Sequence, residues 1–231
     1  MNNSLDLATL DALWKARHNA QDARDLERLL DALSRETQDL PARYELDWRR
    51  ARLHQFHAMQ HLESGDKKAA RAGFERGSEV SQWTLGESER GEGRFWHAVN
   101  ALEFARLGNK WGAFWALRFV QSHLKSVLEW DETFHFAGAH RVLGRIAHLA
   151  PRRAGGDAAV AQFHFERALE IADNSTTRLY FAELLSDLGQ KTAAKAQIEA
   201  ILASPDDENW RWEQARDREK VGKWLAQSSG E

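Results

Sequence analysis

The chain has 231 residues, a formal net charge of -3, three prolines and no cysteine. That length allows one substantial core or a row of small stacked units. Without cysteine there is no disulfide, thiolate metal site, thiol nucleophile or lipidated cysteine, and the mild acidity gives no electrostatic footprint for nucleic acid.

The N-terminal "MNNSLDLATLDALWKARH" has neither a basic start nor an apolar stretch, so no signal peptide is read there. No apolar run reaches the length of about 18 residues that a membrane span needs. Ala, Leu, Glu, Arg and Gln outweigh Val and Ile, which favours helix over strand. Apolar periodicity predicts eleven helices, near 5–20, 23–38, 43–64, 67–83, 88–107, 110–128, 132–149, 157–172, 176–188, 191–203 and 208–226. Pro41, Pro151 and Pro205 fall between periodic segments, where helices stop.

A period organises these helices. His54, His97 and His140 are spaced 43 residues apart, as are Gly65 and Gly108. Each of those two glycines closes an apolar-periodic stretch and is followed by Asp66 or Asn109, a C-cap and then an N-cap. Gly189 repeats the device in "DLGQKTAAKAQIEAI", so stacked helical hairpins are expected.

In chain order, the first chemical candidates are His54, His57 and His61, on one helix face. His57 and His61 have the i,i+4 spacing that can share a metal ion, yet no His-Glu-x-x-His pattern accompanies them. Their repeat positions are packing positions, so they are read as core rather than as a metal hydrolase. Phe95, Trp96, Trp111, Phe114, Trp115 and Phe119 cluster on the third hairpin, either as core or as the lining of an apolar pocket. Asn100 takes a packing position among them, where a buried amide must find partners. It orients the neighbouring helix or points at a ligand.

Arg141, Arg145 and His148 form an i, i+4, i+7 line, followed by Arg152 and Arg153. A basic wall of this kind receives a carboxylate or phosphate, because guanidinium binds both as a fork. The alternative is pairing with the next hairpin, where Glu183 and Asp187 take the matching positions. Gly155 and Gly156 follow the arginines, but no strand precedes them and no Gly-Lys-Ser/Thr follows, which excludes a P-loop. They belong to a lengthened turn, with Asp157 as N-cap of the next helix. No Gly-x-Ser-x-Gly occurs, and the acidic pairs at Glu87 and Glu89 or Asp206 and Asp207 open helices. No catalytic residue, metal or cofactor is expected.

Leu143 and Gly144, then Ala161, Phe165 and Ala168, are small and large residues at spacings that resemble tetratricopeptide repeats, with five extra residues in the turn. The wider pattern also carries a resemblance. It comprises "GRFWHAVNALEFARLGN", "FHFAGAHRVLGRIAHLAPRRAGGDAAVAQFHFERALEIADN" and "LYFAELLSDLGQKTAAKAQIEAILASP", then Trp212 to Asp217. Over roughly 43–225 the chain resembles the T components of tripartite ATP-independent periplasmic (TRAP) transporters, which are degenerate tetratricopeptide-like helical proteins.

The resemblance implies a scaffold that assembles with a solute-binding protein and offers a pore or groove for a small apolar ligand. Members of that family are typically exported and lipid-anchored, a departure that makes the expected location cytoplasmic for the chain as it stands and periplasmic if an export segment has been removed. The expected fold is all-α: a single-domain α-solenoid of about five hairpins (5–38, 43–83, 88–128, 132–172 and 176–203) with a capping helix at 208–226. Its groove, lined by Arg141, Arg145, His148, Arg152, Arg153, Glu183, Asn100, Trp96, Trp111 and Trp115, binds a protein partner. A carrier for a small apolar or anionic ligand is the other reading, and self-association into a homo-oligomer stays open.

Overall fold

The computed structural model describes residues 6–87 and 89–228, with the side chains of Lys110, Trp111 and Ala113 outside the description. Those residues are all-helical, as the composition predicts. In order they form α1 (Leu7–Lys15), α2 (Ala20–Glu36), α3 (Leu40–Glu63), α4 (Lys67–Ser81), α5 (Glu92–Arg106), α6 (Lys110–Asp131), α7 (Phe134–Leu149), α8 (Ala158–Ile171), α9 (Ser175–Asp187), α10 (Lys191–Ala203) and α11 (Arg211–Ser228). Short 3-10 turns at Gln82–Gly86 and Arg152–Ala154 complete the set. The helices group into two compact units, one of Met1–Trp14 and Ala20–Phe134, the other of Lys15–Asn19 and His135–Glu231.

In the first unit, α3 turns into α4 where the sequence placed its glycine signal. Gly65 adopts φ +88, a left-handed conformation that costs glycine little. The Asp66 carboxylate then accepts a hydrogen bond from Ala69 N at 2.9 Å. The two helices approach closely because Ala58 faces Gly73, where an added Cβ would lie 2.9 Å from the Ala58 Cβ. Ala70 and Phe74 are fully buried against that crossing, flanked by Met59, Leu62, Phe104 and Leu107. The turn between α5 and α6 is built differently. Gly108 is not left-handed; its N–H donates to Ala105 O at 3.1 Å, and Asn109 caps α6 through Gly112 N at 2.8 Å.

In the second unit, Ala147, Ala161, Phe165, Phe181, Leu184, Leu185 and Ala194 form one cluster from α7, α8, α9 and α10. Leu179, Ala182, Ile198, Ile201 and Val221 form another that joins α9, α10 and α11, with Trp224 at its edge. Gly189, at φ +74, turns α9 into α10. Asp157 caps α8 as its sequence position predicts, accepting from Ala159 N at 2.8 Å and Val160 N at 3.1 Å.

One predicted element is interrupted. The helix expected over 132–149 contains a left-handed turn, with φ between 52 and 57 at His135, Phe136 and Ala137. Left-handed backbone costs roughly 1–2 kcal/mol per non-glycine residue, so contacts elsewhere must hold it. The rings of His135 and Phe136 pack against Trp210 with centroids at 5.1 and 5.0 Å, tilted by 56° and 60°.

The α7–α8 crossing is the most exacting contact of the second unit. A Cβ on Gly144 would sit 2.8 Å from Phe165 Cε1 in a filled core. Gly144→Leu is therefore expected to destabilise the protein by about 1–3 kcal/mol through overpacking. Urea denaturation followed by circular dichroism checks this, and an unchanged midpoint contradicts it.

Candidate functional site

The candidate residues divide between the units. Trp96, Asn100 and Trp115 lie in the first, and the Trp111 side chain is outside the described residues. Asn100 is fully buried, and its Nδ2 donates to Ala51 O at 3.1 Å and Trp96 O at 2.8 Å. Its carboxamide occupies the space that a Cβ on Gly77 would fill, 2.4 Å from Oδ1. Asn100 thus ties α5 to α3 and sits against α4. Trp96 is buried beside Phe95, whereas Trp115 is 67% exposed, so the two do not share one pocket wall.

The histidine line also lies in the first unit. His61 is exposed, and His54 and His57 are partly buried. Among the described residues no three His, Asp or Glu side chains gather closely enough to hold a metal ion. Burial, with Arg50 and His57 nearby, lowers the His54 pKa from 6.5 to about 4. The unfolded chain then takes a proton below about 6.5 that the folded chain refuses until about 4, so stability is full above that window and falls through it. Acidification from pH 7 to 4 is expected to cost up to about 3 kcal/mol through this residue. His54→Gln should flatten that slope in melting curves, and an unaltered slope contradicts the assignment.

In the second unit the site starts from a buried charge. Asn174 caps α9, accepting from Thr176 N at 3.1 Å and Thr177 N at 3.3 Å. This places Ser175 and Thr176 so that their hydroxyls donate to Asp217 Oδ2 on α11, at 2.8 and 2.6 Å. Arg216 Nη2 donates to Asp217 Oδ1 at 2.6 Å, and Trp210 Nε1 donates to Thr176 Oγ1 at 3.1 Å. A fully buried carboxylate is tolerated when its lone pairs are met in this way. Burial opposes the charge on Arg216, but Asp217 and the neighbouring acids outweigh it and raise its pKa. The network fixes the start of α9 against α11.

Arg141 departs from its expected place. The sequence puts it on an exposed wall with Arg145 and His148; the structure buries it to 6% exposure. The cause is the left-handed turn, whose inward carbonyls need donors: Arg141 Nη1 donates to Phe136 O at 3.0 Å and Nη2 to His135 O at 3.4 Å. Its guanidinium carbon lies 5.1 Å from the Trp210 ring centroid. Desolvation lowers its pKa to about 10, which still leaves it charged at neutral pH.

Arg145 and His148 remain together and face α9. Arg145 Nη1 meets Glu183 Oε2 at 2.5 Å, and its guanidinium lies 4.4 Å from the Tyr180 ring. An arginine N–H can only donate, so His148 Nδ1 accepts from Arg145 at 3.3 Å. His148 Nε2 then carries the proton and donates to Asp187 at 2.8 Å. The pairing with Glu183 and Asp187 that the sequence offered as an alternative is the arrangement present. Arg152 and Arg153 are exposed in the 3-10 turn after Pro151. Gly156 folds that turn back onto the end of α7, where a Cβ would lie 1.8 Å from Ala150 O. Arg152, His148 and Asp157 border the resulting concavity of about 430 Å³.

A larger cleft, about 470 Å³, opens between α7, α9 and α11. Leu149, Leu179 and Trp224 form its apolar part, with Glu183 and Asp187 on one rim and Lys220 and Lys223 on the other. Sequence reasoning singled out Glu183 and His148 but missed the α11 contribution. The available signal was the i, i+4, i+7 line Lys220, Trp224, Gln227, whose partner face is set by Asp217.

Arg141 and Arg145 should separate in mutants. Arg141→Ala leaves two inward carbonyls unmet and is expected to cost about 2–3 kcal/mol. The Arg145–Glu183 pair is partly hydrated, so Arg145→Ala should cost under about 1 kcal/mol. Equal losses in urea denaturation would contradict the division into buried strut and rim pair.

No helix among the described residues is long and apolar enough to cross a membrane. No curated protein matches the chain. The family model for the TRAP transporter T-component matches residues 21–211, which span α2 to the start of α11, and the chain belongs to that family of transporter-associated components.

Proposed function

We propose that the chain is a non-catalytic scaffold of a TRAP transporter, whose consecutive hairpins stack as tetratricopeptide-like repeats within each unit. Its α7–α9–α11 cleft receives a segment of a protein partner, by family resemblance the solute-binding protein. The observation that carries this reading is the cleft's composition: Leu149 stands 58% exposed at its edge, beside an acidic and a basic rim. An apolar strip between rims of opposite charge suits a polypeptide segment, which brings both side chains to bury and charges to align. Arg145 and His148 act here as positioning residues that hold Glu183 and Asp187 at the rim, while Lys220 and Lys223, the latter held by Glu219 at 2.6 Å, line the opposite rim toward acidic groups of the partner. Arg152 and Arg153 extend the basic surface beyond the α7 end.

The cleft volume also lies within the usual range for small-ligand pockets, which keeps a small-ligand carrier as the second reading. Native mass spectrometry of the purified chain distinguishes the two, since a carrier retains a non-covalent mass. For the scaffold, Leu149→Asp and the double change Lys220→Glu, Lys223→Glu should each weaken binding of the solute-binding protein about tenfold or more, roughly 1.4 kcal/mol, with helicity unchanged. Calorimetry measures this, and full affinity in both variants contradicts the cleft assignment.

A further inference from the structure

Helix α6 has two apolar faces. Val120, Leu124 and Val127 are fully buried and form the packed one. About a third of a turn away, Trp115 is 67% and Phe119 42% exposed, one helical turn apart, and Ser122 and Ser126 continue their line without charge. Arg118 and Lys125, both exposed and seven residues apart, run along one edge of this strip. Between Lys110 and Leu128 of α6 the charged side chains are cations, and the acids Glu129 and Asp131 come only at the C-terminal end of the helix.

We propose that this strip of α6 seats the first unit on an anionic phospholipid surface. The charges beside the rings select the occupant: the exposed Arg118 and Lys125 flank the aromatic line, the first acid, Glu129, follows a turn beyond Lys125, and a lipid surface presents anionic headgroups directly above an apolar layer. Trp115 and Phe119 enter the boundary between headgroups and acyl chains, where amphipathic aromatic rings are favoured. Arg118 and Lys125 carry apolar stems that let their charges stay among the phosphates while the rings descend. The strip runs along the outside of a helix, a form suited to a planar surface rather than to enclosing a peptide. The inference is independent of the cleft, which lies in the second unit.

The test is co-sedimentation of the full chain with phosphatidylcholine vesicles, with and without phosphatidylglycerol. The chain should bind the phosphatidylglycerol vesicles and release as salt rises. Trp115→Ala alone, at a 67% exposed position, should weaken that binding several-fold with unchanged circular dichroism, and adding Phe119→Ala, whose ring also packs on His97 and His123, should bring the loss to tenfold or more. Reversing Arg118 and Lys125 to Glu should abolish the preference for phosphatidylglycerol, each lost cation alone being worth roughly fivefold. Leu149→Asp should leave vesicle binding as it was. No binding to phosphatidylglycerol vesicles overturns the proposal, as does equal binding by the aromatic variant. So does an aromatic variant that loses the solute-binding protein while keeping the vesicles, since the strip would then be a protein interface.

Discussion

The carbonyls of His135 and Phe136 turn inward, and the guanidinium of Arg141 meets them. Three successive left-handed residues without glycine cost roughly 3–6 kcal/mol in sum, so the turn persists only while its surroundings offset it. Two charge-assisted hydrogen bonds contribute, and so does the Trp210 indole, which packs at a tilt against both rings of the turn and lies under the guanidinium. Trp210 is held in turn by Thr176, and Thr176 by Asp217. The path of α7, the start of α9 and the placement of α11 are thus one coupled arrangement. The cleft is a consequence, because its walls are the continuations of those three helices.

That coupling gives the buried charge of this network a structural task. Arg141 and Asp217 are removed from water and the Arg216 side chain is only 10% exposed, and the acceptors and donors around them leave few orientations open to α11. An apolar replacement could pack as densely but would fix the register of α11 against α9 less tightly. Arg145, nearer solvent on the same face of α7, has a lighter task. It meets Glu183 where water still screens the pair, while the buried His148 side chain reaches out to the exposed Asp187, so both set side-chain direction at the rim.

Local devices were legible in the sequence, and long-range ones were not. The helix order, the left-handed glycines at Gly65 and Gly189, and the caps at Asp66, Asn109 and Asp157 follow from residues within a turn of one another. The Gly144–Phe165 contact was legible too, because a small residue facing a large one is a repeat signature. The left-handed turn at 135–137 left no trace, since no glycine or asparagine marks it and its support arrives from Trp210, more than 70 residues later. For the same reason periodicity put Arg141 with its helix neighbours on an exposed wall. Spacing along α7 fixes which face a residue takes, but what lies opposite depends on α11. Trp115 shows the converse case: aromatic spacing suggested core or pocket lining, and the packed face of α6 is supplied instead by Val120, Leu124 and Val127.

The second unit is therefore a frame whose interior charges are structural, and the cleft that they shape is the recognition surface we propose. Hydrogen–deuterium exchange of the chain with and without the solute-binding protein tests this most directly. The account predicts new protection concentrated in the ends of α7 and α9 and in the second half of α11, with the already buried start of α9 unchanged. Protection confined to the first unit, with those three segments exchanging as in the free chain, would contradict it.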